Sequence, residues 1–479
     1  MTLLDRTFRR QLGKDMRSAF ETSAIEIIMR LRGAGHLAFF VGGCVRDRLL
    51  GLEPHDYDIV TDAMPAEIQH LFPRTIPLGA AFGTVLVVHH DYQCHLSTFR
   101  GATPDSRAEE LIRSDMAHRD FTINAMAADP ESGAIYDFVN GRRDLEHKLI
   151  RAVLSPDARF MEDPLRLLRA IRFVVQLGFT LDPETEIVMT RRASDAAQAS
   201  PERIHQELLA ILLSPSPALG FRLLHRTALL HVLLPEVAAM DGVAQPPEFH
   251  PEGDVWTHTL LMLEQMHSPS PELALSVLLH DVGKPPTFCT RPPQASLHPP
   301  APNLPEQVLS PRDAPLPESV ADRIRFDRHP QAGVQIVQRI ASRYRWPRAQ
   351  LERVCVLVQD HLIFMNVRAM RRSTLVRWLR KPHFPELLEL HRLDCLGSHR
   401  SLTTYEFCRA QLAALTPGQA RPARLLTGDD LKALGYPTGQ RYKEILSAVE
   451  DAQLEGVLQS IEDAKTWVRQ HFPASETPP

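Results

Sequence analysis

Gly42-Gly43-Cys44-Val45-Arg46-Asp47, followed by Asp56-Tyr57-Asp58, decides how the first part of this 479-residue chain is read. The apolar run at 37–41 predicts a buried strand, and paired glycines directly after it let the backbone approach a bound group closely. Arg46 and Asp47 are expected to open a short helix. Residues 56–60 read as the next strand, whose period of two turns both carboxylates to one face. Two carboxylates beside a glycine turn suit Mg²⁺ and a triphosphate, because a hard cation takes oxygen ligands and backbone N–H groups take phosphate. Alone, Asp-x-Asp is more often a turn or a solvated edge. The order strand, glycine turn, helix, strand is what gives this pair a function.

From Gly42 to Asp58 this order resembles the catalytic core of the CCA-adding enzyme and bacterial poly(A) polymerase family of nucleotidyltransferases. Phe82-Gly83-Thr84-Val85, Ser97-Thr98-Phe99-Arg100 and the run at 115–126 follow in the family's order, the last expected to open a helix returning to the phosphates. The resemblance implies that Asp56 and Asp58 are catalytic and hold Mg²⁺, and that Gly42, Gly43, Arg46, Arg119, Asp120 and Asn124 bind the nucleotide. In Arg159-Phe160-Met161-Glu162-Asp163-Pro164-Leu165-Arg166-Leu167-Leu168-Arg169, spacing sets Asp163 and Arg166 one helical turn apart on one face. By resemblance these two hydrogen-bond the base edge of incoming CTP or ATP without a nucleic-acid template, Arg169 joins the nucleotide-binding set, and Glu202 and Arg203 brace the pair. Three positions depart from the family pattern. His95 stands where a third carboxylate is usual, His118 where an arginine is common, and the segment between Arg100 and Asp115 is shorter than the family's loop.

A chain of this length exceeds one ordinary core, so several domains are expected. The boundaries read as an N-terminal extension at 1–24, an α/β head at 25–150, an all-α neck at 151–240, an all-α histidine-rich module at 241–410 with a proline-rich insert at 285–319, and a helical tail at 411–479. The fold class is α+β. A net charge of −4 gives no global attraction to nucleic acid, so RNA contact must come from local patches such as the arginines between 339 and 381. Six cysteines without Cys-x-x-Cys spacing indicate neither a zinc ribbon nor a disulfide framework. No apolar run of about 20 residues and no secretory pattern are present, so the expected location is the cytoplasm, without a membrane partner.

His258, His280-Asp281, His329, His361 and Asp394 form a second ordered set, flanked by apolar residues at helical spacing. One histidine on a helix is usually structural. The complete order resembles the HD phosphohydrolase domain, which implies a site for Mn²⁺, Ni²⁺, Fe or a similar transition ion. Lys284 is expected to contact a phosphate and His250 to support the ligands from behind.

The resemblance spans nearly the whole chain and implies addition of CCA, or part of it, to tRNA 3′ ends from CTP and ATP, with an HD module acting on phosphate ends or cyclic phosphates. Addition of CC only and poly(A) synthesis are the alternatives within the class. In another class, the head only binds RNA and the HD module carries the activity. Oligomeric state is not readable from the sequence.

Overall fold

The computed structural model describes residues 19–77, 83–101, 107–290 and 324–473. Most of the N-terminal extension, Phe82, residues 102–106 of the shortened loop, most of the proline-rich insert and the last six residues lie outside them. Two compact units divide the chain, Met1–Leu233 and Leu234–Pro479.

Among the described residues, the first unit holds the helix Ala19–Gly33 and then a seven-stranded sheet ordered β3-β4-β5-β2-β1-β6-β7. Its strands are β1 (Ala38–Val41), β2 (Asp58–Thr61), β3 (Thr75–Pro77), β4 (Thr84–His89), β5 (Tyr92–Thr98), β6 (Met126–Ala128) and β7 (Ile135–Asp137). Every residue of β1 is buried, as the unbroken apolar run at 37–41 requires of a strand covered on both faces. Neighbours pair antiparallel except β2 and β5, whose parallel register sets Asp58 beside His95. Phe39, Val41, Val60, Phe99, Ile112, Met116 and Ala127 fill one core cluster against the sheet.

Local boundaries correct three expectations in the head. The helix after the glycine turn is Gly43–Leu49, so it starts before Arg46. Strand β2 begins at Asp58, and Asp56 lies in the turn ahead of it. Residues 115–126 close a helix, Ala108–Ala117, and then run through a 3₁₀ turn at Thr122–Asn124 into β6. The chain therefore reaches the glycine turn from β6, whose Met126 carbonyl accepts the Gly42 N–H at 3.3 Å.

The neck is not purely helical: β8 (Leu149–Ile150) pairs in parallel with β9 (Thr180–Leu181). Its helices Pro156–Glu162 and Arg166–Leu177 are separate, with Asp163 between them in an extended conformation (φ −144°, ψ 99°). Pro164 explains the break, since a proline disfavours helical backbone in the residue before it. Asp163 and Arg166 consequently do not share one continuous helical face.

In the second unit the helices Val255–Glu264, Pro271–Leu279, His329–Arg343, Arg348–Asp360 and Phe384–Gly397 gather the histidine set. This module also is not all helix, because β10 (Phe288–Thr290) pairs antiparallel with β11 (Ile324–Phe326). The described start of the proline-rich insert is a short helix, Lys284–Thr287, followed by β10, so a loop beginning at 285 is corrected. The expected start of the tail at 411 falls inside the helix Thr403–Ala414; further on, Thr427 and Asp430 form a reciprocal cap, and Leu431, Tyr436, Ile445, Val449 and Val468 share a core.

At least five of the ten arginines between 339 and 381 meet a carboxylate, so the stretch is partly compensated, with Arg348 paired to Glu352 one turn on. Arg343 pairs with Glu236, Arg353 with Glu386, Arg377 with Glu450 and Asp451, Arg380 with Glu450, and Lys381 with Asp360. Most of those acids are distant in sequence, so a window on the chain does not reveal them.

Candidate active sites

Gly42 adopts φ 77°, a region open mainly to glycine, and a Cβ added there would lie 2.9 Å from Arg119 Nη1 and 3.5 Å from Asp58 Oδ2. A Cβ on Gly43 would lie 3.9 Å from Asp56 Oδ1. The bare turn, both aspartates and the Arg119 guanidinium thus share one small space. Burial raises the Asp56 carboxyl, and the charges of Asp58 and Asp47 raise it further. Crowded oxygens of this kind fit a hard divalent cation, which would relieve their repulsion.

His95 Nδ1 stands 3.4 Å from Asp58 Oδ1, and pairing with that carboxylate raises the imidazole's pKa. The structure therefore sets a nitrogen base, half exposed, directly beside Asp58. His118 lies further back, with its carbonyl accepting from Arg100 at 3.3 Å and from Arg166 at 3.0 Å.

The remaining nucleotide-binding candidates form a connected scaffold. Arg46 is buried, donating through Nη1 to Asn124 at 2.8 Å and through Nε to Asp47 at 2.8 Å. Arg119 Nε donates to Asp115 at 3.0 Å, which aims its other guanidinium end at the turn. Asp120 is not free for a ligand: one oxygen takes both Nε and Nη2 of Arg169, at 2.9 and 2.6 Å. Burial alone would raise the Asp120 carboxyl, but Arg169 and local hydrogen bonds win and hold it below the usual range. Asp120 and Arg169 thereby tie the head to the neck helix Arg166–Leu177.

Asp163 and Arg166 are close in sequence and bonded to different partners. Arg203 donates to Asp163 at 2.9 Å, while Arg166 donates to Glu162 at 2.7 Å and to the Arg159 carbonyl at 3.2 Å. Arg203 therefore braces Asp163 as expected of it. Arg172 pairs with Glu207 at 2.7 Å, a buried contact that the sequence did not mark.

In the second unit the six expected ligands converge. His258, His280 and Asp394 form one group of donor atoms and Asp281, His329 and His361 another, each with its atoms within 4.8 Å of one another. The consecutive residues His280 and Asp281 join the two groups, with Nε2 to Oδ2 at 3.1 Å. His258 Nε2 lies 3.2 Å from Asp394 Oδ1, and His329 Nε2 lies 3.2 Å from His361 Nε2.

All four imidazoles are oriented alike. Nδ1 of His280, His329 and His361 faces the carbonyls of Val277, Phe326 and Val358 at 2.7–2.9 Å, and Nδ1 of His258 faces Glu252 at 2.8 Å. With each Nδ1–H donating outward, the Nε2 lone pairs point to the common centre, the orientation that metal-ligating histidines adopt. The Nε2 atoms of His258 and His280 are buried and meet only the carboxylates of Asp394 and Asp281, without well-aligned hydrogen bonds, an arrangement that an ion between them would satisfy. Burial lowers His258 but Asp394 and Glu252 outweigh it, bringing it to about 9, whereas burial brings His361 down to about 3. Asp394 is the partly exposed member, 29 % open, so the cluster faces solvent on that side.

Two supporting residues differ from expectation. Glu252 accepts from both His250 and His258 at 2.8 Å, so His250 acts through a carboxylate that the sequence reading passed over. Lys284 is buried and binds Asp281 Oδ2 at 2.7 Å and Gln245 Oε1 at 2.6 Å, which corrects its role as a phosphate contact. Gly283 is required by contact, because a Cβ there would meet the His329 carbonyl at 2.1 Å.

Fold and first site together define a nucleotidyltransferase head. Residues 38–151 match the family model described as the poly A polymerase head domain, and residues 178–240 match the one described as a probable RNA and SrmB-binding site of polymerase A. Within that class the chain is similar to CCA-adding enzymes. It is 43 % identical over 211 residues to that of Levilactobacillus brevis, covering 42 % of this chain and 53 % of the relative. It is 43 % identical over 232 residues to that of Geobacillus kaustophilus, covering 47 % and 57 %. The matched region thus spans little more than half the length of these curated relatives. The solved structure of the Bacillus stearothermophilus CCA-adding enzyme in complex with CTP superposes with a TM-score of 0.68 at 25 % identity, covering 95 % of this chain and 98 % of that one. The Thermotoga maritima CCA-adding enzyme complexed with tRNA shares the fold, at TM-score 0.61 and 19 % identity over 97 % and 98 % of the two chains. No helix among the described residues is long and apolar enough to cross a membrane.

Proposed function

We propose that the protein is a tRNA nucleotidyltransferase that adds CCA, or part of it, to tRNA 3′ ends from CTP and ATP, and that its second unit is a metal-dependent phosphohydrolase of the HD type. The observation that carries the first half is the meeting of Asp58, Arg119 and Gly42 in one space, with Asp56 beside Gly43. The curated relatives, of which the match covers little more than half, are CCA-adding enzymes, which supports the same reading.

Asp56 and Asp58 would hold Mg²⁺, which when bound supplies Lewis-acid stabilisation of phosphate oxygens. The turn at Gly42 admits the triphosphate close to the backbone. Arg119 presents a planar donor fork to it, held in place by Asp115. Arg46 and Asn124 lock the turn's helix to the 3₁₀ segment, fixing the distance between turn and Arg119. On the neck, Asp163 braced by Arg203 offers acceptors and Arg166 offers donors to a base edge, which a protein can read in place of a template strand.

For the second unit, the converging Nε2 atoms support a transition-metal centre, with Asp394 on its open side. Neutral imidazoles with carboxylates suit Mn²⁺, Ni²⁺ or Fe, and the chemistry expected there is hydrolysis of a phosphate end or a 2′,3′-cyclic phosphate.

The test is incubation of purified protein with tRNA lacking its last three nucleotides and labelled CTP or ATP. Incorporation of C and then A is expected. C without A would assign CC addition, repeated A would assign poly(A) synthesis, and no incorporation would reject the transferase. In parallel, Asp281→Ala is expected to abolish turnover of a 2′,3′-cyclic nucleotide, and unchanged turnover would reject the hydrolase.

A further inference from the structure

The tip of the β4–β5 hairpin carries a cluster that neither candidate site uses. His89 ends β4 opposite Tyr92, and the turn between them, His90-Asp91, is left-handed at both residues (φ 46° and 66°). Nε2 of His89 and Nε2 of His90 each stand 3.0 Å from one atom, Oε2 of Glu26, on the helix Ala19–Gly33.

Packing sets this arrangement. Phe20 stacks on Tyr92 with ring centroids 4.9 Å apart, Ser23 Oγ donates to the His89 carbonyl at 2.9 Å, and Glu26 follows at the same three-residue spacing. Residues so spaced share a helix face, so the contacts of Phe20 and Ser23 deliver the Glu26 carboxylate to the two rings. Asn-Gly is the usual occupant of such a turn, and histidine is among the residues that tolerate its left-handed backbone.

We propose that Glu26, His89 and His90 bind a divalent transition ion of the Zn²⁺ type. Two imidazole nitrogens and one carboxylate oxygen are the donor set of that class, and they do not form the oxygen cage that Mg²⁺ or Ca²⁺ takes. Around a tetrahedral ion with bonds of about 2.0–2.1 Å, donor atoms sit about 3.3 Å apart, so the present 3.0 Å contacts need to open by only a few tenths of an ångström. All three donors already lie within 4.8 Å of one another. Glu26 and His90 are 48 % and 67 % exposed, which leaves water the fourth position. The bound ion fastens the first helix to the hairpin whose second strand carries His95.

The test uses the full-length protein, stripped of metal and equilibrated with Zn²⁺. His90→Asn keeps a residue suited to the turn, and Glu26→Gln keeps the shape of the carboxylate. Each variant is expected to retain one Zn²⁺ equivalent fewer than the parent, and to show a smaller Zn²⁺-dependent rise in thermal midpoint. The histidine cluster of the second unit is the same in all three proteins and cancels. Equal Zn²⁺ content and equal thermal shifts in the parent and both variants would overturn the proposal.

Discussion

At the scale of single residues, the proposed transferase turns on Asp58 and on His95 beside it. Asp58→Asn keeps the shape and removes the charge that offsets a cation, and an initial-rate assay should show nucleotide incorporation falling by about 10²- to 10³-fold. His95 offers nitrogen where oxygen suits Mg²⁺ better, so His95→Glu should raise Mg²⁺-supported turnover relative to Mn²⁺-supported turnover by about tenfold. An unchanged ratio would remove His95 from the metal's surroundings. His258 gives a pH dependence with a definite sign. Its folded pKa, about 9, lies above the ordinary imidazole value of 6.5, so its pairing in the metal-free protein stabilises fully below 6.5 and is lost as pH rises through 9. A metal requires the neutral ring. Affinity of the cluster should therefore rise about tenfold per pH unit between 7 and 9, with a proton released on binding, measurable by calorimetry in buffers of different ionisation enthalpy. That the aspartates meet the glycine turn and that the six residues of the histidine set converge was legible from residue order and the family resemblance. Glu252 was not, because its use depends on His250 and His258 turning to one oxygen, which no spacing rule announces.

At the scale of elements, the seam between head and neck rests on Asp120 and Arg169. These residues are 49 positions apart, so sequence could place Asp120 beside the nucleotide and yet miss the arginine that occupies it. Arg169→Ala would leave a buried carboxylate without its partner, and should destabilise the first unit by about 3 kcal/mol in denaturant unfolding, with Asp120→Asn in the same background restoring part of the loss. Part of the secondary structure was readable: β1 falls where its apolar run puts it, and β2 starts two residues later than expected. The break at Asp163 was also available from Pro164, but was overridden by the three-residue spacing of Asp163 and Arg166. The β8–β9 and β10–β11 pairs were missed because each strand is two or three residues long and supported by a partner about 30 or more positions away, too little for a period to register.

At the scale of the whole molecule, the chain divides into two units, and each holds a candidate active site built from its own residues. The basic stretch at 339–381 shows why charge read along a chain misleads. Arg343, Arg353, Arg377 and Arg380 meet acids at 236, 386, 450 and 451, brought in by folding, which lowers the positive charge the stretch offers to RNA. The aspartates of the first unit are proposed as an active transferase centre. The most direct measurement is incorporation of labelled C and A into tRNA lacking its 3′ CCA, comparing the parent with Asp56→Ala. The account predicts ordered extension by the parent and almost none by the variant. Equal extension by both, or none by either with Mg²⁺ or Mn²⁺ present, would contradict it.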